Sequence, residues 1–220
     1  MKVWIVLISL FYFSYTSNTS IQYNTFELKS GDILFQDLDS SPICDAIELV
    51  TPGYNGGNFS HIGLVISQND TLKILEAIPP KVTITNLDNF LNRSSDQNGN
   101  PKVIVGRLID EYKNTIAKAI EFAKQKIGVD YDEYFMLDND KYYCSELIYD
   151  AFSPYFIFKL EPMNFLDPTN NDTLSTWKEY YSKIGIQVPQ NELGINPGVM
   201  SLSEKIQIIH FYGNPDGIIR

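Results

Sequence analysis

Only two cysteines and two histidines occur in this chain, and each scarcity excludes something. Cys44, Cys144, His61 and His210 are scattered, so they form no clustered ligand set, and neither a metal nor another cofactor is expected. A single Cys44–Cys144 bridge is possible in an oxidising compartment. A domain of this size does not need one, so Cys44 reads as a small buried hydrophobe. Basic residues are outnumbered, 17 against 27 acidic ones, and the net charge is −10 with no basic stripe. Such a surface repels phosphate backbones, so nucleic acid is not an expected partner. No phosphate-cradling glycine loop and no fixed-period repeat is present. No apolar run approaches the ~20 residues that a membrane-spanning helix takes.

What is present is a core-forming composition, 44% hydrophobic over 220 residues, enough for one domain with a sizeable core. The N-terminus has its own character. Lys2 is followed by an apolar run from Val3 to Phe13, broken only by Ser9, and then by small and polar residues from Ser14 to Ser20. This is the layout of a secretory signal peptide. Residues 1–17 are read as the signal, 18–27 as a linker and 28–220 as a single domain. The protein is expected to be exported, periplasmic or secreted, with no stable membrane span after cleavage. The alternative is an uncleaved N-terminal anchor, because no Ala-x-Ala site is present.

Along the domain, Ile33–Gln36 reads as a strand after the turn at Gly31-Asp32. Ser41-Pro42 opens a short helix that carries Cys44 and is stopped by Thr51-Pro52-Gly53. His61 heads a strand to Ile66, Gln68 to Thr71 is a turn, and Leu72 to Ala77 returns as the partner strand. Val82–Thr85 and Val103–Leu108 are further strands, separated by a short helix or turn at 88–91 and a polar loop over 92–101. Glu111 to Ile127 is the clearest helix, with Gly128 placed to cap it. Asp138-Asn139-Asp140 is expected to cap a helix carrying Cys144 and running to Phe152. Residues 155–200 are expected to be loops with one short helix near Trp177 to Tyr181, before a final strand from Ile206 to Tyr212. The order implies an α+β domain with an antiparallel sheet packed on helices.

Cys144 and His61 carry the candidate chemistry. A cysteine attacks as thiolate, which a helix N-terminus and a neighbouring imidazole both favour. Cys144 sits at a helix start, and His61 is the candidate base. Glu76 is the candidate acceptor for the imidazole, by a register argument. If Ser67 pairs with Leu72, Gly63 faces Glu76 and His61 lies diagonally beside it on the same face. A slip of one residue would put Glu76 on the other face. Alone, such a cysteine is commonly core and such a histidine a satisfied surface residue.

Four stretches, in this order, resemble the permuted papain-like amidases of the YiiX/YaeF-like group, a branch of the NlpC-type cysteine hydrolases. They are Gly31-Asp32-Ile33-Leu34-Phe35-Gln36, Ser60-His61-Ile62-Gly63-Leu64-Val65, Leu75-Glu76-Ala77, and Tyr143-Cys144-Ser145-Glu146-Leu147-Ile148-Tyr149. Histidine before cysteine is the reverse of the ordinary papain-like order, as in that group. The resemblance implies a permuted papain-like fold and a Cys144–His61–Glu76 triad. It also implies hydrolysis of an amide in an amino-acid, peptide or N-acyl conjugate, cell-wall derived or otherwise, through a thioester. Tyr143 and Tyr54 are candidate pocket residues. Two other readings stand beside it: a lipid acyltransferase or thioesterase of the lecithin:retinol acyltransferase-like type, and a non-catalytic binding module.

Overall fold

The computed structural model describes residues 26–219; the expected signal segment and most of the linker, residues 1–25, lie outside them. In chain order the elements are β1 (Ile33–Gln36), α1 (Pro42–Val50), β2 (His61–Gln68), β3 (Thr71–Ile78), β4 (Lys81–Asn86), α2 (Leu87–Leu91) and β5 (Val103–Leu108). They continue with α3 (Ile116–Gln125), α4 (Cys144–Phe152), β6 (Glu161–Pro162), α5 (Ser175–Ile184), β7 (Leu193–Gly194), α6 (Pro197–Ser201) and β8 (Ile206–Phe211). Six strands form one sheet in the order β4-β3-β2-β1-β5-β8, every neighbouring pair antiparallel.

Alternation along the strands gives the sheet two apolar faces. Ile33, Phe35, Ile62, Leu64, Ile66, Leu75 and Ile104 pack with Ala119 and Ala123 of α3 and with Leu147, Ile148 and Phe152 of α4. The intervening residues Leu34, Val65, Ile74, Val103 and Val105 pack with Phe90 of α2. A third cluster, outside the sheet, joins Phe165, Trp177 and Tyr181 to Ala46 of α1.

The β2–β3 register is set by a two-residue turn. Asn69 and Asp70 both take left-handed φ, 51° and 55°, as this hairpin geometry requires. Ser67 pairs with Leu72 and Leu64 with Leu75, as the register argument assumed. The Gly31-Asp32 turn has a structural role. Gly31 has φ of 94°, and a Cβ there would lie 2.5 Å from Ile116 Cγ2. Arg107 Nε and Nη2 donate to the two oxygens of Asp32 at 2.7 Å each, tying the turn to β5.

Three expectations need correction. The helix foreseen over 111–127 is a 3-10 turn, Asp110–Thr115, followed by α3, because the Thr115 hydroxyl donates back to the Tyr112 carbonyl at 2.6 Å. Gly128 sits past its end at φ of 92° and donates its N–H to Val82 of β4 rather than to a helix carbonyl. The acidic stretch 138–140 does not cap α4. Tyr142 is held extended against residues 130–132, so the helix starts only after Tyr143, whose N–H donates to Glu146 Oε2 at 3.3 Å. The segment 155–200 holds more than one short helix. α5 is longer than foreseen, and α6 is opened by Asn196, whose side chain accepts from Val199 N–H at 2.9 Å.

Candidate active site

Cys144 is the first residue of α4, and His61 is the first residue of β2. The fold brings them together at one end of the sheet, both buried. The Cys144 side chain lies near enough to the imidazole to favour its charged form, and Cys144 Sγ lies 3.9 Å from the Ser60 carbonyl oxygen. On its other side, His61 Nε2 is 2.6 Å from Glu76 Oε2. Continuing the β2–β3 pairing one step beyond Leu64–Leu75 sets Gly63 against Glu76 and His61 on its diagonal. A Cβ on Gly63 would run into Ile74 Cγ2 and lie 2.9 Å from the Phe90 ring, so the glycine makes room for these two side chains.

Glu76 is fully buried, and four donors surround it. Arg93 donates through Nη1 and Nη2 at 2.7 and 2.6 Å, the Thr85 hydroxyl at 2.5 Å, and His61 completes the set. Thr85 reaches it diagonally, since Glu76 pairs with Thr83 across β3–β4. Arg93 lies over the Phe90 ring, 5.2 Å from its centroid, and His61 packs beside the same ring. Arg93 and Thr85 were not foreseen. Nothing in the spacing of a polar loop announces a buried ion pair.

The electrostatics follow from these contacts. Burial works against a charged Glu76, yet hydrogen bonds and charge from Arg93 and His61 hold its carboxyl down at about 2. Burial also works against a charged His61, but hydrogen bonds to Cys144 and Glu76 and the Glu76 charge outweigh it and raise the imidazole to about 9. An ionised Glu76 accepts from Nε2–H, which leaves Nδ1 to face the thiol. Burial pushes Glu146 up to about 8 against its bond from Tyr143, so at neutral pH this cap adds no negative charge beside Cys144.

A cleft lined by Ser60, Cys144 and residues of α1, α5 and the 163–165 and 195–197 segments opens beside the thiol. Tyr143 lines it, as foreseen. Its hydroxyl accepts from the Ile195 N–H at 3.3 Å, while the Ser145 hydroxyl donates to the Ile195 carbonyl at 2.9 Å. The residues flanking the cysteine are thus both fastened to the segment that forms a cleft wall. Tyr54 does not line the cleft. Its backbone N–H is taken by Ser201, and its ring packs near Phe211 instead. Cys44 is a free thiol with its sulfur against the Ser40 and Ser41 hydroxyls, and Cys144 is also free.

A family model described as permuted papain-like amidase enzyme, YaeF/YiiX, C92 family matches residues 27–210. The chain belongs to this family. It is 25% identical over 172 residues to the uncharacterized protein YiiX of Escherichia coli (strain K12), covering 77% of this chain and 79% of that one. A crystal structure described as metalloprotein YiiX from Escherichia coli O157:H7 superposes with a TM-score of 0.70 at 22% identity, over 86% of this chain and 99% of that one. The fold is therefore the permuted papain-like one, its antiparallel sheet packed on the helix that carries Cys144.

Proposed function

We propose that the protein is an exported cysteine hydrolase that cleaves an amide bond, with Cys144 as nucleophile, His61 as base and then acid, and Glu76 as the group that orients and charges His61. The observation that supports this most is the chain of contacts from Cys144 at a helix start, through the imidazole, to a buried carboxylate. With the thiol proton already on His61 Nδ1, Sγ attacks the carbonyl carbon. An Sγ–C bond forms and the carbonyl electrons move to oxygen, close to backbone N–H groups of the first turn of α4 that have no intrahelical partner. Collapse breaks the C–N bond, and the amine leaves with the proton from His61. Water, deprotonated by His61, then attacks the thioester, which releases a carboxylic acid and restores the thiol. The export part rests on the N-terminal apolar run. Among the described residues no helix is long and apolar enough to cross a membrane.

The YiiX crystal structure is described as a metalloprotein. Here the described acidic, histidine and cysteine side chains close enough to share an ion are Asp37, Asp39 and Asp216. Lys102 Nζ already lies 3.0, 2.6 and 3.1 Å from their oxygens. That set does not fit a resident metal, since the Lys102 ammonium already sits among the three carboxylates, and no step is routed through one.

An amide and ester library, compared between wild type and Cys144→Ala, tests the reading. Turnover should vanish in the variant; turnover that survives there would sink it. The apolar walls of the cleft favour one second reading, acyl transfer from the same thioester to an amine. Product analysis with added amine separates the two.

A further inference from the structure

The walls of the cleft say which half of the substrate it holds. Charged residues make up 20% of the chain, yet among the described residues no Asp, Glu, Lys or Arg lines the cleft. The walls join the apolar Ile47, Val50, Phe135, Met163, Phe165 and Trp177 to uncharged polar residues such as Thr51, Asn164 and Asn196, and the Cys144 thiol lines the cleft too. His61 is not among the walls, although Ser60 before it is. In the proposed reaction His61 delivers the proton to the leaving nitrogen, so the amine must depart on the His61 side of the sulfur. The acyl group bonded to Sγ then lies on the other side, in the cleft. A charged group there would lose its hydration without gaining a partner.

Trp177 adds a second, independent feature. Its ring is 3% exposed, packed against Phe165 and Tyr181, and it lines the cleft. Its indole N–H is buried and has no hydrogen-bond partner among the described residues. Buried indole N–H groups ordinarily find an acceptor. None of the neighbouring aromatic rings supplies one.

The geometry points to a substrate whose acyl half is uncharged and apolar, seated in this cleft, with one hydrogen-bond acceptor set back from the scissile carbonyl that takes the Trp177 N–H. This assignment rests on the cysteine-hydrolase reading of Cys144. Peptide donors with a carboxylate or ammonium near the scissile bond on the acyl side are excluded by it.

Chloromethyl ketones R–CO–CH2Cl test the assignment on the full protein without requiring turnover. Cys144 Sγ bonds to the methylene carbon, chloride leaves, and the thiol proton passes through His61 to solvent. Labelling rates are read by intact mass, with Cys144→Ala as control, and each is divided by the rate of the same reagent with free cysteine. Hexyl and phenylethyl tails should label at least about tenfold faster than tails of equal length ending in carboxylate or ammonium. Charged tails that keep pace with the apolar ones would overturn the assignment. Val50→Lys, at the half-buried C-terminal end of α1, should shift the preference toward the carboxylate tail. A tail carrying an amide oxygen should outpace its alkyl isostere, and Trp177→Phe should bring that ratio to about one. A ratio unchanged by the variant would remove the acceptor from the assignment. Iodoacetamide, which has no tail to seat, isolates the underlying reading. If it labels wild-type Cys144 no faster than a free thiol, and His61→Asn makes no difference, the activated pair itself fails, whatever the tail preference.

Discussion

Arg93 grips both oxygens of Glu76, at 2.7 and 2.6 Å, so the carboxylate that holds His61 is itself held. The loop after α2 thereby fixes the orientation of a residue two strands away. Three groups on three elements form one charged network inside an apolar face. Arg93→Met removes the fork and leaves Glu76 buried with less compensation. Breaking a buried pair on one side costs about 3–5 kcal/mol, toward the lower end here because Arg93 is 22% exposed. Denaturant unfolding measures it. Arg93→Lys should recover only part, since an ammonium lacks the two-pronged geometry. A loss below about 0.5 kcal/mol, the size of an ordinary surface change, would show that the fork is incidental.

Glu76→Gln keeps the shape and removes the charge. The amide can present its NH2 to the imidazole and favour the wrong tautomer, and in the classic serine triad the equivalent change costs about 10⁴ in rate. Alkylation of Cys144 by iodoacetamide and amide turnover should both fall steeply. If both stay within a factor of about three, Glu76 does not orient His61, since groups that orient an imidazole are usually worth 10–100-fold or more.

His61 carries a pH signature. Its folded value is raised to about 9 against an ordinary value of 6.5. Its contribution to stability is therefore fully present below about pH 6.5 and lost as pH rises through about 9. Glu76, held down at about 2, contributes above about 4.5 and loses this only as pH falls through about 2. Melting temperature followed from pH 6 to 10 should decline more steeply in wild type than in His61→Asn. Parallel curves would mean that the imidazole is not held charged.

Much of this arrangement was legible before any coordinates. The Asn69-Asp70 turn between two apolar runs fixes the hairpin register, and register alone places His61 and Glu76 on one face. Cys144 reads as lying near a helix start, from a cap expected at 138–140, and the structure makes it the first residue of α4. What escaped is what depends on chain path. Arg93 belongs to a polar loop, and only the fold of α2 under β3 turns it inward. Trp177 lies on a helix that was foreseen, but its place in the cleft depends on how α5 packs on α1, which has no local sequence signal. The cap of α4 was misplaced because Tyr142 bridges to residues 130–132, a contact without local sequence signal.

Gly63→Ala tests how tightly the histidine's surroundings are packed. The added methyl would run into Ile74 Cγ2 and lie 2.9 Å from Phe90. Overpacking of this kind costs about 1–3 kcal/mol. Phe90 supports both His61 and Arg93, so turnover should fall as well as stability. Full stability in the variant would mean that Phe90 has room to withdraw.

The last prediction concerns the two fastenings beside the nucleophile. Tyr143 and Ser145 hold opposite sides of the Ile195 peptide, its N–H and its carbonyl. Ile195, Asn196 and Pro197 form a wall of the cleft, so these bonds set the distance between wall and thiol. Tyr143→Phe and Ser145→Ala each remove one buried hydrogen bond, worth about 1 kcal/mol, and each leaves one backbone group unpaired. Because both bonds hold a single peptide, the double variant should cost less than the two single losses added together. Once either fastening is gone the segment is already free to shift. The functional effect should fall on KM more than on kcat, since the wall positions substrate while His61 and Glu76 stay in place. Unfolding of the four proteins in a double-mutant cycle, with KM and kcat measured on each, reads both effects. Strict additivity, or a loss confined to kcat, would mean that the wall is held by its own α6 cap at Asn196 and not by the residues flanking Cys144.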